Sequence, residues 1–74
     1  MSKFPSFKPK EVIKKFKKLG YIIDRQSGSH VILYHPTLKK RSTIPLHVKD
    51  LPKGTLFSIL KEAGISKEEF LKIK

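Results

Sequence analysis

The sequence predicts a small α+β domain of order helix, three antiparallel strands, helix, closed by a short terminal helix. Three observations carry that expectation. The hydrophobic period is 3.6 before Gly20, drops to 2 through the middle of the chain, and returns to 3.6 after Pro52. Turn chemistry cuts the middle into three β-rich pieces, at Ser27-Gly28-Ser29, at Pro36 and at Pro45. The 74 residues are about half of the usual domain length, which leaves room for one small core and no second domain.

Met1 to Lys8 has no periodicity and contains Pro5, so residues 1–8 read as an N-terminal arm ahead of a single domain over 9–74. Pro9 suits the first turn of a helix, and Val12, Ile13, Phe16 and Leu19 form one stripe along it until Gly20 stops it. Tyr21 to Gln26 alternates as a strand, and His30 to His35 is a β-rich apolar run, so the two read as a hairpin. After a polar turn from Pro36 to Lys40, Arg41 to Ile44 makes a third strand that Pro45 ends. Leu46 to Leu51 is an irregular connection. Leu56, Ile59, Leu60 and Ala63 form the second helical stripe, closed by Gly64. Ser66 and Glu69 have capping-box spacing and open a last helix carrying Phe70, Leu71 and Ile73, with lysines at its end.

Both main helices are expected on one face of the sheet, around a core of Val12, Ile13, Phe16, Leu56, Ile59 and Leu60. The second strand is nevertheless apolar on both faces, Val31 and Leu33 on one and Ile32 and Tyr34 on the other. The uncovered face either receives a partner or leaves Ile32 and Tyr34 exposed or shielded by the arm.

The charge balance points to a polyanion. Seventeen basic residues against six acidic ones leave a formal +11, a surplus that repels itself on so small a surface unless an anion shares it. Residues 1–18 hold seven Lys against Glu11, and residues 39–53 hold Lys39, Lys40, Arg41, Lys49 and Lys53 against Asp50. The first helix and the middle loop are therefore the expected grip, through Lys14, Lys17, Lys18, Lys39, Lys40 and Arg41. A solvated face is the plain alternative for the helical lysines. Only two of the basic residues are Arg, so backbone contact is expected more than base reading. A merely soluble Lys-rich chain would carry more Glu than the four present. With no Cys there is no disulfide or thiolate metal site, as suits a reducing cytoplasm, and no apolar run approaches the ~20 residues of a membrane span or a secretory leader.

No serine stands in a nucleophile elbow, and the four glycines are too dispersed for a nucleotide-phosphate loop, so no cofactor is implied. The histidine spacings, His30, His35 and His47, match no usual zinc site. His35 before Pro36 reads as an ordinary strand-end residue. His30 directly follows the Ser-Gly-Ser turn, whose open N–H groups place an imidazole at the sheet edge beside a pocket suited to phosphate. An ordinary strand residue is the alternative there too.

Gly20-Tyr21, Arg25-Gln26, Gly28-Ser29-His30, His35-Pro36, Ile44-Pro45 with His47, Pro52 to Leu56, Ile59-Leu60 and Ala63-Gly64 stand in an order that resembles the HicA (YcfA-like) family. These proteins are the toxin half of HicA/HicB toxin–antitoxin systems. The resemblance covers about residues 9–71 and leaves out the arm. It implies a double-stranded-RNA-binding-like fold, ribosome-independent cleavage of mRNA, and a HicB-type antitoxin that binds and silences the toxin. It also implies that His30, in the Gly-Ser-His motif, is catalytic. Many members carry a second His beside it where this chain has Val31, so a two-histidine mechanism at that spot is unavailable. His47 matches a frequent family position to which the resemblance assigns no role.

The chemistry stands without the name. RNA supplies its own nucleophile, the 2′-OH, so a metal-free endoribonuclease needs a base, a proton donor for the leaving oxygen and positive charge at the phosphorane. His30 is expected as base or acid, with Gly28 and Ser29 offering close backbone approach and N–H donors. The second proton carrier is open among His47, Tyr34 and solvent. The rival reading is a non-catalytic RNA-binding module that holds an A-form backbone by shape. A DNA-binding protein fits less well, because no helix-turn-helix with base-reading side chains is visible.

Overall fold

The computed structural model describes residues 4–73, so the first three residues of the arm and Lys74 lie outside the described residues. Six elements follow in chain order: α1 (Pro9–Lys18), β1 (Ile22–Ser27), β2 (His30–His35), β3 (Lys40–Pro45), α2 (Lys53–Ala63) and α3 (Lys67–Lys72). The strands form one antiparallel sheet of order β1-β2-β3, so the α-β-β-β-α architecture is the expected one.

Both longer helices pack against β3. Antiparallel partners share a face, and the pairs Val31–Ile44 and Leu33–Ser42 place four buried side chains beneath the helices. The predicted core residues are all buried there, joined by Tyr21, Leu51, Ala63 and Phe70. Gly64 ends α2 in the left-handed region at φ 73°. At α3, the Ser66 hydroxyl accepts from the Glu69 N–H at 3.0 Å and the Glu69 carboxylate accepts from the Ser66 N–H at 3.1 Å.

Residues 4–8 pack against the helical layer and not against the open sheet face. Phe4 and Phe7 lie edge-on to each other at 5.7 Å, and both rings approach Phe70, at 6.3 and 5.0 Å. The Phe7 carbonyl also accepts from the Leu51 N–H. The open face is therefore left to Ile32 and Tyr34, both half-buried, with residues 4–8 elsewhere.

β1 departs from simple alternation. It bulges between Ile23 and Arg25, so Asp24 has no partner in the register. Neither helix extends over this edge strand, and Ile22 and Ile23 are 52% and 47% exposed on opposite faces.

Candidate active site

The tight turn between β1 and β2 sets the position of His30. Gly28 takes φ 58°, a left-handed conformation that glycine adopts without a Cβ penalty, and the chain reverses so that Ser27 pairs with His30. On the other side His30 pairs with Pro45 at the end of β3. The next rung is a hydrogen bond from the Leu46 N–H to the Ser29 carbonyl, which ties the loop after β3 to the Gly-Ser turn. That bond delivers His47 to His30. Their ring centroids are 5.9 Å apart, with planes at 59°, and both side chains are exposed.

Centroids 5.9 Å apart leave no room for a phosphoryl group in line between the rings, but both exposed imidazoles can reach one phosphoryl group lying across their outer edges, each by a hydrogen bond of about 2.8 Å to a different oxygen. Tyr34, the other protein group open as second proton carrier, shares the face with His30. It lies four residues along β2, about 13 Å away at the strand rise. Its ring is covered by the Arg41 guanidinium at 4.8 Å.

The cations divide between the two ends of the sheet. Arg41 pairs with Tyr34 and Lys40 with His35, so Arg41 stands about 13 Å and Lys40 about 17 Å from His30 along the ladder, with Lys39 beyond. Lys40 donates to the Ala63 carbonyl at the end of α2, at 3.5 Å, and Arg41 approaches Asp24 at 3.8 Å. On α1, Lys14, Lys17 and Lys18 are exposed. The helix runs toward the same far end, since its last carbonyls reach Leu19 and Leu19 meets His35. Lys15 is used internally, donating to the Phe70 and Ile73 carbonyls at the end of α3.

The cations on the His30 side are others. Arg25 pairs with Ile32 and is two residues from Ser27, so it shares the His30 face on the diagonal position. Lys8, Lys10 and Lys49 gather where the start of α1 meets the loop after β3. Charge counting along the chain passes over Arg25, because Asp24 beside it cancels it. Strand alternation backward from Ser27 is the signal that finds it.

His35 has a structural occupation. Its Nδ1 accepts from the Leu38 N–H and its Nε2 faces the Leu19 carbonyl, both at 3.1 Å, which requires the neutral Nε2–H tautomer. Its ring also stands edge-on to Tyr21 at 5.0 Å. Among the described residues no group of three or more His, Cys, Asp or Glu side chains gathers as metal ligands would, and no helix is long and apolar enough to cross a membrane.

A family model described as the HicA toxin of bacterial toxin–antitoxin matches residues 9–65, from the first residue of α1 past the end of α2. The chain belongs to the HicA toxin family. It is accordingly the toxin component of a toxin–antitoxin system, and a cognate antitoxin is its partner. No curated protein matches the chain. The HicA match includes the whole Gly-Ser turn, His30 and His47, and leaves out α3, whose Phe70 the Phe4 and Phe7 rings approach.

Proposed function

We propose that this HicA-family toxin is a metal-independent endoribonuclease that cleaves mRNA, with His30 and His47 as its two proton carriers. The observation that supports it is the 5.9 Å approach of the two rings beside an open Gly-Ser turn. One neutral imidazole takes the proton of the ribose 2′-OH as the oxygen attacks phosphorus. The protonated partner gives its proton to the departing 5′ oxygen. The P–O5′ bond breaks as the P–O2′ bond forms, leaving a 2′,3′-cyclic phosphate and a free 5′-hydroxyl. Arg25, on the same face, opposes the charge that builds on the phosphorane, and the Gly28–Ser29 backbone lets the phosphate approach closely. No cofactor is required by this scheme.

A HicB-type antitoxin, acidic against the +11 toxin, would silence it by covering His30 or the open face with Ile32 and Tyr34 as apolar anchors. Reducing cytoplasm is the compartment that suits such a pair, with mRNA at hand. The test is incubation of the purified toxin with RNA in EDTA and analysis of the new ends. Cyclic phosphate and 5′-hydroxyl ends are expected; RNA bound but uncut would leave the non-catalytic RNA-binding module instead.

A further inference from the structure

The structure holds a groove that neither the histidine pair nor the expected lysine grip uses. It lies where the start of α1 meets the loop after β3, with a volume of about 430 Å³. Its floor is apolar, made by Pro9, Leu46 and Val48, and its rim carries Lys8, Lys10 and Lys49. Leu46 and Val48 are half-buried against the core, so the floor is anchored. Glu11 also borders it, its carboxylate accepting from the Lys8 backbone N–H at 2.8 Å, so three ammonium groups stand against one carboxylate and the lining is net positive.

We propose that this groove is the subsite for a nucleotide flanking the scissile phosphate of a single-stranded RNA. The inference rests on the ribonuclease reading above and extends it to the substrate. Continuity is the first argument: His47 sits between the two floor residues Leu46 and Val48, and the Leu46 N–H is bonded to Ser29, the residue before His30. A strand whose phosphate is held at the imidazoles reaches the groove by crossing the loop at residues 46–48. Charge and shape are the second. Lysine ammonium groups above an apolar floor match a nucleotide, with its phosphate on the rim and its base face on the floor. The volume takes one nucleotide and not a duplex, and only an unpaired strand offers a free base face.

The experiment uses the full chain carrying His30→Ala, titrated with a 2′-O-methyl hexanucleotide that cannot be cleaved. Amide shifts map the binding surface, and fluorescence anisotropy measures affinity with and without Lys10→Gln plus Lys49→Gln. The expected result is shifts at Leu46, Val48 and Lys49, and an affinity about tenfold weaker for the double variant, as when one or two phosphates go unneutralised. Shifts confined to the Lys14, Lys17 and Lys18 face, with unchanged affinity in the double variant, overturn the subsite. Cleavage by the otherwise unaltered protein is followed in parallel on the all-ribose hexanucleotide. RNA seated in the groove yet never cut refutes the ribonuclease reading while supporting the subsite. Cut RNA with an untouched groove does the reverse.

Discussion

His30 and His47 come from different parts of the chain, and their rings stand 5.9 Å apart because the β2–β3 ladder continues one rung past Pro45, through Leu46 to Ser29. In the proposed mechanism a pair held this way divides the two proton transfers of RNA cleavage between two like groups. One must be neutral while the other is protonated, so the rate should pass through a maximum and fall on both sides of it. His47→Ala should lower kcat by about 10²-fold and flatten one limb of the pH–rate profile. An unchanged two-limbed profile in His47→Ala would return the second role to solvent.

Gly20 and Gly28 both adopt positive φ, but their substitutions should differ. At Gly20, with φ 105°, an added Cβ would meet the His35 Nε2 at 2.8 Å, in the ring that already bonds Leu19 and Leu38. Gly20→Ala should cost about 2 kcal/mol or more, from backbone strain and displacement of His35 together. At Gly28, with φ 58°, nothing lies within 4 Å, so Gly28→Ala should cost only about 1 kcal/mol of strain. Urea midpoints of the two variants check the order.

Much of this architecture is legible in the sequence. The Val12–Phe16 and Leu56–Ala63 stripes, the Ser66–Glu69 box and the turn at Gly28 are local patterns, and local patterns survive folding. What is not legible depends on where elements meet. Lys40 reads as a phosphate cation, but it donates to the carbonyl at the end of a helix distant in sequence, as Lys15 does. The first strand is expected from Tyr21 to Gln26 and runs from Ile22 to Ser27, because Tyr21 turns into the core beside Phe16. The convergence of His47 on His30 requires the β2–β3 register, which no periodicity encodes.

Burial raises the pKa of the Tyr21 phenol above 10.0, and the nearby Ser42 hydroxyl opposes the shift. The two hydroxyls are close without meeting hydrogen-bond geometry, and both are buried without a partner. In the unfolded chain the phenol loses its proton near pH ~10, while the folded protein still holds it, so the native state binds more protons and stability falls as pH rises through that window. The wild type should therefore lose stability relative to Tyr21→Phe between about pH 9 and 11. Near neutrality, Tyr21→Phe with Ser42→Ala should be neutral or slightly stabilising, since both unpaired hydroxyls go together. Denaturation midpoints of the three proteins at each pH measure this.

Lys14, Lys17 and Lys18 lie along α1 toward the end away from His30, and they should act on long RNA as sequence-independent charge. Replacing all three by Gln should weaken binding of every long RNA alike and reduce the salt slope by up to ~0.7 for each phosphate no longer neutralised. The rate of cutting saturating short RNA should hardly change. Binding measured from low to high salt on two unrelated sequences is the check, and weakening confined to one sequence would contradict backbone grip.

The most direct test of the account is RNA cleavage in EDTA by His30→Ala, with circular dichroism and RNA binding measured on the same sample. His30 is exposed at the first position of β2, so its truncation leaves Val12, Phe16, Leu56 and Leu60 untouched and the fold should persist. The predicted result is a folded protein that still binds RNA and no longer cuts it, beside a wild type whose cleavage is unaffected by the chelator. Full cleavage by the folded, nuclease-free variant would contradict the account.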